Sequence, residues 1–181
     1  MKTVLVAGAT GYLGQYLVAE LLRQGYQVRA LVRHPQKLIQ SDLVDGDHRR
    51  LTLHQAEITN PQSLKQCCEG VDVVISTVGI TRQKDGLTYE DVDYQGNLNL
   101  LREAQASQNN PLGGVKKFLY VSVFKGEQLQ DIAIGRAKEQ FVKELKDSGL
   151  DHCVIRPNGF FSDLTYSPPR MTGILKLRIT S

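Results

Sequence analysis

The chain has 181 residues, of which 41% are hydrophobic and 23% charged, with a formal net charge of +3. That size and balance fit one globular domain with a real core, and the charge is too weak and too scattered to make nucleic acid the main partner. No apolar run is long enough to span a bilayer, and Met1 leads straight into a strand pattern rather than a signal peptide, so the expected location is cytoplasmic with no membrane span. The three cysteines, Cys67, Cys68 and Cys153, are odd in number and lack metal-type spacing, which argues against a disulfide framework and against a metal site. Cys67 and Cys68 are expected on a helix as buried or half-buried small residues.

Strand and helix patterns alternate from the first residue. Thr3 to Ala7 is a short apolar run of the buried-strand type. Tyr12 to Gln24 follows with Leu13, Tyr16, Leu17 and Leu21 at helical spacing, ended by Gly25. Gln27 to Val32 reads as a second strand and Pro35 to Gln40 as a short helical turn. Asp42 to Arg50 reads as a loop and Leu51 to Gln55 as a third strand. Asn60 and Pro61 start a helix, as cap and first helical residue, that runs to about Glu69. Asp72 to Thr77 is a fourth strand, Gly79 to Gly86 a polar loop, and Thr88 to Gln108 a long helix. Lys117 to Val123, Asp131 to Ser148 and His152 to Arg156 read as strand, helix and strand. Six strands alternating with helices predict parallel pairing through right-handed crossovers. The expected fold is α/β, a Rossmann-type doubly wound sheet in the order 3-2-1-4-5-6, with a ligand site at the carboxyl ends of strands 1 and 4.

The first strand ends in Gly8-Ala9-Thr10-Gly11-Tyr12-Leu13-Gly14. Gly8 permits a tight turn, Gly11 lets the backbone approach a pyrophosphate, and Gly14 lets the helix pack closely on the sheet. The helix start offers N–H groups and a positive dipole end to phosphates. A strand before the glycines and an amphipathic helix after them give the context that such a motif needs. A glycine turn without a ligand is the alternative.

The Gly-x-x-Gly-x-x-Gly spacing resembles the short-chain dehydrogenase/reductase superfamily, and within it the atypical, NmrA-like NAD(P)-binding group. The segments that carry the resemblance are Val6 to Gly14, Ala30 to Arg33, Val121 to Val123, Lys138, Ser148 to Leu150 and Arg156 to Phe161, within a domain of residues 1–164. The resemblance implies a bound nicotinamide dinucleotide. A carboxylate at the end of strand 2 would select NAD; here Arg33 and His34 stand there with Lys37 close behind, which favours NADP over NAD. The alternative is that Arg33 and Lys37 are only polar surface. Glu57 and Ile58 occupy the adenine-edge position of the superfamily, although Glu57 also suits a surface charge. Ser76, Thr77, Val78 and Gly79 are expected to run along the cofactor's ribose and diphosphate, and Pro157, Asn158 and Phe160 to shape the nicotinamide pocket.

The superfamily's proton relay is a Tyr and a Lys four residues apart, with a Ser near the end of strand 5. Here Lys138 and Ser122 are the candidate catalytic residues, but the Tyr position holds Ile134, which cannot give or take a proton. Lys138 would also bind the nicotinamide ribose, or else be a solvated helix lysine. Tyr120 is expected in the core, and Tyr94 has no assigned part in proton transfer. The segment 165–181 does not resemble the family's substrate lobe, so that lobe reads as truncated, or supplied by another chain, which would invite association into a homo-oligomer. Two readings stay open: an NADP-dependent reductase acting on a small molecule, and a non-catalytic dinucleotide-binding regulator or assembly factor with a protein partner.

Overall fold

The computed structural model describes residues 1–39, 48–80 and 86–158. Its centre is one sheet of six parallel strands: β1 (Thr3–Ala7), β2 (Gln27–Val32), β3 (Leu51–Gln55), β4 (Val73–Ser76), β5 (Lys117–Val121) and β6 (Asp151–Ile155). Their order is β3-β2-β1-β4-β5-β6, as the alternation predicts. At the carboxyl end of β1, Ala7 lies beside Leu31 of β2 on one side and Ser76 of β4 on the other. The winding reverses between β1 and β4, and a crevice opens beyond their ends for that reason.

The period-two alternation of β1 divides the core in two. Val4 and Val6 face one layer, built from α1 (Tyr12–Arg23) through Leu17, Val18 and Leu21. The short α2 (Gln36–Ile39) closes this layer with Leu38. Leu5 and Ala7 face the other layer, where α3 (Asn97–Ser107) and α4 (Ala133–Asp147) bring Leu100, Leu101, Phe141 and Leu145. Phe141 is fully buried with Tyr120 at 4.6 Å and Phe118 at 6.0 Å between ring centroids. Truncating a phenyl ring so placed costs about 3–5 kcal/mol.

Several expectations about helices change. The helix expected from Asn60 to Glu69 is a 3-10 turn at Pro61–Leu64. The cap is as expected, with Asn60 Oδ1 accepting from the Gln62 amide at 3.1 Å. The Ser63 hydroxyl, however, bonds back to the Glu57 amide and carbonyl at 3.0 and 2.9 Å, and Gln66 takes a left-handed φ of 65°. Serine competing for local backbone groups and one left-handed residue together stop the helix. Cys67 and Cys68 are consequently buried on turns rather than on a helix.

The long helix after β4 opens as a π-helical turn, Glu90–Gly96, before becoming α3. Asn97 Nδ2 donates to the carbonyls of Val92 and Asp93 at 3.4 and 2.9 Å, satisfying acceptors that the wider turn releases. His48–Arg50, expected in a loop, is a 3-10 turn, and α4 begins two residues after the expected Asp131. Part of each predicted loop around 42–47 and 81–85, together with Phe160 and the segment 165–181, lies outside the described residues.

Candidate dinucleotide site

The turn from β1 into α1 forms one wall of a cleft of about 170 Å³ at the carboxyl ends of the central strands. Gly8 has a φ of +78°, a conformation that side chains disfavour. A Cβ there would lie 2.6 Å from Thr77 Oγ1, so the turns after β1 and β4 touch at this point. The Gly8 carbonyl accepts from the Gly11 amide at 2.9 Å. Gly14 is buried against that same carbonyl, and any side chain on it would strike the Gly8 backbone. The glycines therefore fix the strand-to-helix turn in the way the spacing predicts.

Helix α1 starts at the cleft with no side-chain cap and no acidic residue in its first turn. Backbone N–H groups at such a start lack intrahelical acceptors and favour an anion. Gly11 is exposed at this place. An open glycine cradle under an uncapped helix end fits a dinucleotide's diphosphate.

The structure gathers half of the predicted residues around the cleft. Gly8, Thr10 and Gly11 line it from the first turn, Arg33 from the end of β2, Glu57 and Ile58 from the end of β3, and Thr77, Val78 and Gly79 from the end of β4. Arg33 and Glu57 stand 3.7 Å apart, both partly exposed. Apolar walls come from Leu31, Ala56, Ile80 and Val92, which sequence reasoning did not single out. Thr77 anchors its segment by donating to the Ala7 carbonyl at 3.0 Å.

Other predicted residues lie elsewhere. Tyr12 is exposed on α1, with its ring edge-on to Tyr16 at 5.3 Å, and Leu13 packs on the α1 side of the core. Lys37 is exposed on α2 and does not line the cleft. Pro157 is half-buried and Asn158 exposed beyond β6, away from the cleft lining. Ser76 does not run along the cleft. It is fully buried, and its hydroxyl donates to Asn97 Oδ1 and accepts from the Val78 amide.

The two candidate catalytic side chains are committed to other groups. Lys138 is buried, which removes the solvated-lysine reading, and its Nζ lies 2.9 Å from Asp93 Oδ1 and 3.4 Å from Tyr120 Oη. Ser122 is buried and donates to Glu139 Oε1 at 3.2 Å; Arg156 holds the other oxygen of that carboxylate at 2.6 Å. Tyr120 sits in the core as expected, and burial, then the charges of Asp93 and Glu139, push its phenol well above the usual range. A phenol so placed stays neutral and serves poorly as a proton donor to a developing alkoxide. Tyr94 Oη faces Glu144 at 3.4 Å. Asp93 was missed because a lone aspartate inside a helical pattern reads as surface, and only the tertiary contact reveals it.

A doubly wound parallel sheet with this glycine turn at its switch point defines a Rossmann-type dinucleotide-binding domain. The profile of a family described as NAD(P)H-binding matches residues 8–173. The chain belongs to this NAD(P)H-binding family. Among curated relatives it is 31% identical over 167 residues to the photosystem II assembly factor Ycf39 of Cyanophora paradoxa, covering 90% of this chain and 47% of that protein. It is 30% identical over 172 residues to the chloroplastic divinyl chlorophyllide a 8-vinyl-reductase of Zea mays, covering 90% of this chain and 41% of the reductase. The chain spans about half the length of the curated relatives it matches. Solved structures of the same fold include ElxO with NADP bound, with a TM-score of 0.68 at 16% identity over 87% of this chain and 73% of that one. Another is WbmH of Bordetella bronchiseptica in complex with NAD+, with a TM-score of 0.66 at 19% identity over 86% of this chain and 56% of that one. Among the described residues no helix is long and apolar enough to cross a membrane, and no group of His, Cys, Asp or Glu suits a metal ion.

Proposed function

We propose that the chain binds NADP(H) and works as a reductase-like module on a small molecule. The observation that carries this reading is the cleft itself: an uncapped helix start over a glycine cradle, with Arg33 at its rim and no carboxylate at the end of β2. The turn from Gly8 to Gly14, with Thr10, Tyr12 and Leu13, would hold the diphosphate through backbone N–H groups. Arg33 would grip a 2′-phosphate on the adenine ribose through its paired N–H donors, supported by the nearby charge of Lys37. Glu57 and Ile58 would border the adenine, and Thr77, Val78 and Gly79 would follow the ribose. Lys138 would act at the nicotinamide end, and Pro157, Asn158 and Phe160 would shape the pocket there. The bound dinucleotide supplies a hydride. The protein's own part is to bind and orient it; Ile134 and the neutral Tyr120 leave the proton to water or to the substrate.

A second reading rests on a specific observation: Ser122 is tied to Glu139 and Lys138 to Asp93, so neither is set up as in an alcohol dehydrogenase. A dinucleotide-binding assembly factor or regulator needs no proton relay, and several similar proteins are photosystem II assembly factors. In that case the partner is a protein, and a second copy of the chain is one candidate. A cytoplasmic location belongs to the proposal as well; a relative from Arabidopsis thaliana, 30% identical over 162 residues, is chloroplastic.

Two measurements test the proposal together. Fluorescence titration with NADPH reports binding, and loss of absorbance at the nicotinamide band reports oxidation in the presence of carbonyl, quinone and vinyl acceptors. Binding with acceptor-dependent oxidation supports the reductase, binding without any oxidation supports the assembly factor, and no binding overturns both.

A further inference from the structure

Beside the dinucleotide cleft lies a second, larger cavity of about 550 Å³. The two meet at Ile80, which lines both. Ile80 is firmly placed, because its amide donates to Asp93 Oδ2 at 3.1 Å and its side chain packs against the α3 and α4 layer of the core. One wall of the cavity comes from the start of the π-helical turn and the residues before it, through Leu87, Tyr89 and Glu90. The other comes from the first turn of α4, through Ala133 and Arg136. A space of this size takes an organic molecule rather than a single ion.

The polar groups of the lining differ in what they have left to offer. Thr88 lines the cavity, but its hydroxyl and amide donate to Asp91 Oδ2 at 2.6 and 2.8 Å, and the hydroxyl accepts from the Asp91 amide. Arg136 is exposed, and among the described residues its side chain has no ion pair and no hydrogen bond. Glu90 is exposed and also without an ion pair, Arg136 included. Glu90 has a local reason for its place, since an acid suits the start of a helical turn. Arg136 has none, because a cation in the first turn of a helix opposes the helix dipole.

We propose that this cavity receives the body of the substrate, and that Arg136 selects a largely apolar molecule carrying one carboxylate or other anionic oxygen group. This rests on the dinucleotide-binding reading above. Ile80, Leu87, Ala133 and the ring of Tyr89 would cover the apolar body. The planar fork of Arg136 would hold the anionic group through two parallel N–H donors, in a contact stronger than in open water because the cavity walls exclude part of the solvent. Glu90 would disfavour a second anionic group. With its body against Ile80, such a molecule stands next to the dinucleotide cleft.

The test uses two fluorescent probes with one apolar skeleton: the anion 8-anilinonaphthalene-1-sulfonate and the neutral N-phenyl-1-naphthylamine. Each is titrated into the chain saturated with NADP+, which fills the cleft and does not fluoresce. The wild type should bind the anion about tenfold more tightly than the neutral probe, the worth of a hydrogen bond to a charged group. Arg136→Gln should erase that difference by weakening the anion alone, and Arg136→Lys should restore part of it. Ala133→Trp fills the cavity and should abolish binding of both probes while leaving NADP+ affinity unchanged. Both positions are exposed, so thermal unfolding should match the wild type. Equal affinity of the anion for the wild type and Arg136→Gln overturns the proposal. So does wild-type probe binding by Ala133→Trp, or a wild type that binds neither probe. Calorimetry reads the dinucleotide separately: a wild type that binds neither NADP+ nor NAD+ overturns the dinucleotide reading and the substrate role with it, while the probes titrated alone still decide the preference for an anion.

Discussion

The guanidinium of Arg33, beyond the end of β2, lies 3.7 Å from the carboxylate of Glu57, beyond the end of β3, and both line the same cleft. With side chains 48% and 39% exposed, the pair itself adds at most about 1 kcal/mol to stability. Its weight falls on ligand choice instead, because a positive and a negative group meet where a 2′-phosphate would arrive. Arg33→Ala should weaken NADPH binding about tenfold and leave NADH nearly unchanged, as expected when a charge-assisted contact is removed. Glu57→Gln should act in the opposite sense and favour NADPH by a few-fold. Parallel calorimetric titrations of the two variants check this, and equal changes for both dinucleotides would separate these residues from the phosphate.

Gly14→Ala should be more damaging than its size suggests. The added methyl would meet the Gly8 carbonyl and the Ala9 backbone, which belong to the turn itself and cannot rotate away. Overpacking against backbone costs about 3 kcal/mol or more. Thermal unfolding should drop clearly, and the residual folded protein should bind dinucleotide poorly because the turn has shifted.

Asp72 joins the amino ends of two strands and predicts an acid sensitivity. Its carboxylate accepts from the Thr3 amide at 2.9 Å and meets Lys116 Nζ at 2.9 Å. Burial pushes its pKa up, but the Thr3 amide and Lys116 outweigh that and leave it below the ordinary 3.8. A carboxylate with a lowered folded-state pKa stabilises the fold fully above its unfolded value and loses that contribution as the pH falls through the folded value. The stabilisation should therefore be intact above about pH 5 and fade below pH 3.8. Asp72→Asn should unfold at lower temperature than the wild type at pH 7, and the two melting curves should converge toward pH 2.

Cysteine labelling should divide the three thiols. The hydrogen bond with Cys67 and then burial push the Cys68 thiol far above its usual range, and Sγ of the two lies 3.6 Å apart. The thiolate is the reactive form. Iodoacetamide on the folded protein should label exposed Cys153 and spare Cys67 and Cys68, with all three reacting in denaturant. Modification of Cys67 or Cys68 at the rate of Cys153 would mean that the turn after Leu64 opens readily.

The strand order and the glycine turn were legible because both depend on local pattern. Alternation of apolar runs with helical spacing sets the parallel sheet, and Gly8, Gly11 and Gly14 announce a turn that few other residues permit. The cleft's polar residues were legible as well, since they directly follow strands whose order was known. What the pattern could not give is the partner of a buried charge. Lys138 and Glu139 are neighbours on α4, yet one pairs with Asp93 and the other with Arg156, at sequence distances that no periodicity links. Ser76 misled for a related reason: a small polar residue at a strand end has two sides to choose from, and Asn97 draws it inward. The 3-10 turn at Pro61–Leu64 shows the same limit on a smaller scale, because Asn60 and Pro61 signal the start of a helix but not its length.

The π-helical turn of Glu90–Gly96 also acts as a gear tooth between two parts of the molecule. A π turn carries one residue more than the α-helix that would replace it. Each residue of an α-helix advances by about 100° around the axis, so removing one residue from this turn would rotate every side chain before it by that amount. Val92 would leave the cleft wall and Asp93 would swing away from Lys138, while α3 beyond Asn97 kept its packing on the sheet. The phase of a single helix, rather than the identity of any one side chain, thereby decides whether the cleft and the buried charges meet.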